Sequence, residues 1–88
     1  MNEDHVRQAL RTFILTNFLP GEDPATLEDS TLLISGGVIA SLSLLELATF
    51  IEEEFSVTLQ AEDLGTEYMD SIDMLVDLIA KRSGKGAG

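Results

Sequence analysis

Chemistry in a short chain needs a nucleophile, a titratable group held close to it, or a hydroxyl able to carry a cargo. Ser41 is the residue that stands out. It lies in the stretch GGVIASLSLLELATFIEEEF, residues 36–55. A Gly36-Gly37 turn and two apolar residues, Val38 and Ile39, deliver it to the start of an amphipathic helix. The unpaired amide N–H groups of a helix start, together with the helix dipole, make a favourable setting for a phosphate. A serine bearing a phosphodiester would be well housed at this point. Serine is also among the best N-cap residues, so the pattern alone leaves two readings open, a carried group or a cap.

Other chemistries find little support. The only histidine, His5, sits in an exposed first turn, and there is no cysteine to act as nucleophile or metal ligand. The carboxylates lie on solvated faces, whereas a general acid needs a tuned, partly buried carboxyl. No twelve-residue window has the alternating acids and central glycine of a calcium loop. There is no phosphate-binding glycine loop and no dinucleotide fingerprint. The expectation is a protein that is not an enzyme and has no metal site.

The elements that must position Ser41 read clearly. From about Glu3 to Leu19, Val6, Leu10, Phe13, Ile14 and Phe18 follow helical steps, with Asn2 as a plausible N-cap and Pro20-Gly21 as the stop. Residues 22–39 form a long connection, yet they hold Leu27, Leu32, Leu33, Ile34, Val38 and Ile39. A solvated linker has no need of these, so the loop packs on a core, as function-bearing loops often do. From about Ser41 to Phe55, a helical wheel puts Leu44, Leu47, Ala48, Ile51 and Phe55 on one face. Leu42, Leu45, Glu46, Thr49, Glu52 and Glu53 share the other. Two leucines among three glutamates suit a protein-binding surface, or are leucines exposed incidentally. Residues 56–69 are irregular, with one helical turn expected at 61–64. A last helix, about Ser71 to Arg82, buries Ile72, Leu75, Val76 and Ile79, with Asp70 or Ser71 as its cap and Lys81 and Arg82 in its last turn. The predicted fold is all-α: three main helices and one short one in a small antiparallel bundle with a long first loop. Residues 1–82 form one domain and residues 83–88 a flexible tail.

Charge narrows the partners. Sixteen Asp and Glu face five Lys and Arg, a net charge of −11. Between Thr12 and Ala80 there is no Lys, Arg or His, yet fourteen of the acids lie there. Such a field repels nucleic acid and anionic membrane and attracts basic protein surfaces; it also aids solubility. No apolar run approaches the roughly 20 residues of a membrane span, and the first residues do not read as a signal peptide. The expectation is a soluble, cytoplasmic monomer.

The runs LEDSTLLISGGVI, SLSLLELATFIEEEF and MDSIDMLVDLIA together resemble the acyl carrier protein family, including its peptidyl carrier relatives. They match the family's first loop, second helix and last helix, and the similarity covers nearly the whole chain. The resemblance implies a four-helix bundle with 4′-phosphopantetheine attached to Ser41 from coenzyme A by a separate magnesium-dependent transferase. The thiol of that arm would hold acyl, polyketide or aminoacyl intermediates as thioesters. Loading and processing enzymes with basic surfaces would dock on Leu42, Leu45, Glu46, Thr49, Glu52 and Glu53.

The chain departs from the family at one informative place. The family motif is Asp-Ser-Leu, and here Ala40-Ser41-Leu42 replaces it. Ser41 itself, or a Ser43–Glu46 capping box, is the expected substitute for the missing cap. Asp70-Ser71-Ile72 imitates the motif but lacks the glycine turn before it. Ala40 keeps a second reading open: an unmodified binding module of the same fold, acting through its acidic helix surface alone. The long loop and the helix starting near Ser41 are further expected to move apart to admit a cargo chain, with Ala48 and Met74 lining that cleft or, alternatively, packing as plain core.

Overall fold

The computed structural model describes residues 3–83. Asn2, the expected first cap, and the tail beyond residue 83 lie outside them. Four α-helices make the fold: α1 (Glu3–Phe18), α2 (Leu44–Phe55), α3 (Thr66–Met69) and α4 (Ile72–Arg82). The described residues hold no strand. None of their helices is long and apolar enough to cross a membrane.

Each long helix buries the stripe that its sequence spells. In α1 the four-residue spacing of Val6, Leu10 and Ile14 puts all three in the core. In α2 the buried set is Leu44, Leu47, Ala48 and Ile51; in α4 it is Ile72, Leu75, Val76, Leu78 and Ile79. Helix α1 packs on α4, and α3 packs on α4 beside it. The core is aliphatic, and the chain's four phenylalanines lie at its edge. Phe13 of α1 stacks on Phe50 of α2 with ring centroids 4.2 Å apart, and Phe18 and Phe55 meet this pair edge-on. Offset and edge-to-face contacts of this kind fasten α1 to α2 with some stabilisation beyond area burial.

The ends of the helices obey local chemistry. After α1 the chain turns at Gly21, whose φ of +85° suits glycine. Helix α2 stops at Ser56 in the left-handed conformation, an unusual place for a non-glycine residue. The segment 57–60 then has no regular secondary structure and buries Val57. Ser71 caps α4, its hydroxyl accepting the Met74 N–H at 3.2 Å.

Two details correct the sequence expectation. The turn expected at 61–64 is a 3₁₀ turn over Ala61–Asp63, and the short α-helix follows it at Thr66–Met69, where irregular chain was expected. Met69, fully buried, anchors that helix, and the Gly65 carbonyl accepts the N–H groups of Tyr68 and Met69. Leu32, grouped with the packed loop residues, is 53% exposed.

Three arginines connect elements far apart in sequence. Arg7 reaches Glu3, Asp29 and Asp73, so α1, the long loop and α4 share one cation. Arg11 pairs with Asp29 and donates to the Leu27 carbonyl. Arg82 grips Asp63 through two bonds of 2.7 Å, and Asp63 is only 1% exposed. This bidentate pairing holds the Asp63 carboxyl below the usual aspartate range, against the opposing effect of its burial. A carboxylate with a depressed folded-state pKa stabilises the fold above its unfolded value, near 4, and loses that contribution as pH falls through the folded value. The stability difference between this chain and its Asp63→Asn variant is therefore expected to be largest at neutral pH. It should close below about pH 4, as read from urea midpoints across a pH series; a difference that does not change with pH contradicts the pairing.

Candidate functional site

The path to Ser41 begins in the long loop. Leu27, Leu33 and Ile39 are buried, and Ile34 and Val38 are half-buried, so this loop is part of the core. Its last stretch folds back on itself. The Gly37 N–H donates to the Ile34 carbonyl at 3.1 Å, and the Ile39 N–H to the Leu33 carbonyl at 2.9 Å. Gly36 permits this return: a Cβ there would lie 2.2 Å from the Leu32 carbonyl oxygen. Gly37 adopts a φ of +80°, so both glycines of the turn are needed, for different reasons.

A carboxylate from the far end of the chain holds the same loop. Asp70 precedes the cap of α4 and is buried. One of its oxygens accepts the Ile34 N–H at 2.7 Å and the Ser35 N–H at 2.9 Å; the other accepts the Ser35 hydroxyl at 2.6 Å. Its backbone carbonyl accepts the Leu33 N–H at 2.7 Å. Burial pushes the Asp70 pKa up, but the Ser35 hydroxyl and the Ser35 and Ile34 amides outweigh it, so the group stays ionised below the usual range. Asp70 was expected only as a possible cap. Ser71 takes that duty, which frees Asp70 for the loop.

Two residues past Ile39 comes Ser41. Ala40 is extended, with φ −71° and ψ 154°, as an N-cap residue should be, but it offers no side-chain acceptor. Ser41–Ser43 form a 3₁₀ turn that runs into α2. The expected substitute caps are not made. Ser41 lies inside the first turn and not at its cap, and Ser43 makes no capping bond, so the Ser43–Glu46 box is absent. Among the described residues Ser41 is exposed and its hydroxyl has no hydrogen-bond partner.

Beside it lies the leucine–glutamate face. Leu42 is 87% exposed and Leu45 61%, with Glu46, Thr49 and Glu53 exposed along the same side of α2. Glu52 differs. It is half-buried, and one carboxylate oxygen accepts the Leu59 N–H at 2.9 Å, tying the chain after α2 back to the helix. None of the α2 glutamates pairs with a Lys or Arg among the described residues. Ala40, Ser41, Leu42, Leu45, Glu46, Thr49 and Glu53 thus share one exposed stretch, and Glu52 is partly withdrawn from it.

Grooves lie elsewhere among the described residues. A shallow one of about 510 Å³ runs between α1 and α2 over Phe13 and Phe50. Another, about 270 Å³, lies between α3 and α4 and is lined by Tyr68, Met74 and Leu78, with Lys81 over the Tyr68 ring. Ala48 is buried and lines neither of these grooves, whereas Met74 lines the second. No group of three or more metal-ligating side chains is assembled among the described residues.

Two substitutions test this geometry. Ala40→Asp is expected to stabilise the chain by about 0.5–1 kcal/mol, because the extended residue can then cap the turn that follows. Gly36→Ala is expected to cost roughly 1–3 kcal/mol, since the clash is with backbone and the loop itself must shift. Chemical denaturation measures both; a neutral Gly36→Ala contradicts the tight return.

A scan against protein-family models and a search of curated proteins each gave no match to this chain.

Proposed function

We propose that this chain is a carrier protein that receives 4′-phosphopantetheine on Ser41 Oγ and presents the attached cargo to partner enzymes. The observation that carries the reading is the state of Ser41. Its hydroxyl is exposed and unbonded, it follows a loop fixed at both ends, and it borders a leucine patch rimmed by unpaired glutamates. A serine that served only as a cap would spend its hydroxyl on a backbone N–H, and this one does not.

The residues present fit the group. A phosphodiester on Ser41 would meet no carboxylate at position 40, which matters in a chain of net charge −11. It would stand at the first turn of the Ser41–Phe55 helical stretch, where amide N–H groups are unpaired. When bound, the arm supplies a thiol that the cysteine-free chain lacks, and that thiol holds an acyl, polyketide or aminoacyl group as a thioester. Ser41 Oγ would form a bond to the phosphorus that bears the pantetheine of coenzyme A as the P–O bond of the pyrophosphate breaks, with adenosine 3′,5′-bisphosphate leaving and the Oγ proton passing to the transferase. Leu42 and Leu45 offer apolar contact to a docking enzyme, and Glu46 and Glu53 offer charge to its basic rim. Thr49 completes the contact surface. Glu52 acts first on its own chain, through Leu59.

A second reading is favoured by Ala40: an unmodified module that binds partners through the same face. The two part on covalent change. Intact mass after incubation with coenzyme A, magnesium and a broad-specificity phosphopantetheinyl transferase is expected to rise by one phosphopantetheine, and Ser41→Ala is expected to stay unloaded with its helices intact. Loading of Ser41→Ala overturns the site. No loading of this chain, alongside salt-sensitive partner capture that depends on Leu45 and Glu46 and not on Ser41, favours the unmodified module.

A further inference from the structure

We propose that Asp70 is the positioning residue for Ser41: fixed at the start of α4, its carboxylate holds the loop 33–39 so that the serine is presented in one place. The proposal rests on the reading of Ser41 as the attachment point. Four hydrogen bonds join Asp70 to Leu33, Ile34 and Ser35, three through its carboxylate and one through its carbonyl. From there the linkage is rigid. Leu33 and Ile39 are buried at the two ends of the loop, the Ile39 N–H is bonded to the Leu33 carbonyl, and Gly36 allows the tight return between them. Only Ala40 separates this closed unit from Ser41. The segment from Ala40 to Ser43 has no side-chain cap of its own. Its placement therefore comes from the loop behind it, and the loop's comes from α4. The aspartate missing before Ser41 is thus offset by one thirty residues further along, which acts on the loop and not on the helix start.

The test compares this chain with Asp70→Ala, Asp70→Asn and Ser35→Ala by amide hydrogen exchange and by loading kinetics. In Asp70→Ala, exchange at Ile34, Ser35 and Ile39 is expected to rise roughly tenfold or more, the scale of losing part-buried bonds to a charged group. Leu10 and Ile14 in α1 should keep their rates. Ser35→Ala removes one bond at an exposed residue, leaves the fold intact and should give a smaller rise at the same amides. Asp70→Asn keeps an acceptor oxygen for both N–H groups and should restore most of the protection. In loading, loss of the clamp is expected to lower kcat for transfer to Ser41 with KM for the chain unchanged, because the docking face is untouched. A variant that was merely less folded would instead show raised KM at constant kcat, and faster exchange throughout; that pattern overturns the proposal. So does unchanged exchange in both Asp70→Ala and Ser35→Ala. If the unsubstituted chain is not loaded at all, the carrier reading fails, and local against uniform exchange still decides whether Asp70 holds the segment around Ser41.

Discussion

The carboxylate of Asp70 is a charge inside a small protein, and such a charge is tolerated only when its oxygens are fully engaged. Here the partners come from a loop more than thirty residues earlier, the amides of Ile34 and Ser35 and the Ser35 hydroxyl. The dependence is mutual. Without the carboxylate, the Ile34 and Ser35 amides lose their acceptor; without the loop, the carboxylate is buried unpaired. This joint satisfaction turns a long connection into a structural element. It also sets where α2 begins, because the loop leads into Ala40 and Ser41 with no cap between them.

The same economy governs the charges. A chain with fourteen acids between Thr12 and Ala80, and no cation there, must bring its arginines from the two ends. Arg7 and Arg11 neutralise Asp29 and Asp73, and Arg82 neutralises Asp63. These pairs tie α1, the loop and α4 together. No Lys or Arg among the described residues pairs with the glutamates of α2, and Glu46 and Glu53 stand exposed beside Leu42 and Leu45. An acidic face left uncompensated, with apolar residues in its middle, is poorly suited to isolation and well suited to a basic partner.

Much of this was legible in the sequence because the three long helices carry strong periodicity. Val6, Leu10 and Ile14 in α1, and Leu44, Leu47 and Ile51 in α2, are spaced as a buried stripe must be. The apolar content of residues 27–39 likewise marked a packed loop. The exposure of Leu42 and Leu45 followed from the same wheel. What escaped was non-local or too short. Thr66–Met69 spans a single turn, too little for any period to register, and depends on burying Met69. The bond from Leu59 to Glu52 crosses the left-handed turn at Ser56, which a wheel drawn for α2 does not reach. The role of Asp70 was hidden by its neighbour. Two capping residue types stand side by side at Asp70-Ser71, one helix start needs only one of them, and the spare acid was the available signal.

The central claim is that Ser41 carries a covalent arm. The most direct measurement is to isolate the chain from the cells that make it and sequence the peptide containing Ser41 by tandem mass spectrometry. The account expects the phosphopantetheine mass on Ser41, with Ser43 and the other serines bare. An unmodified Ser41 in every copy, or an arm on another residue, contradicts it.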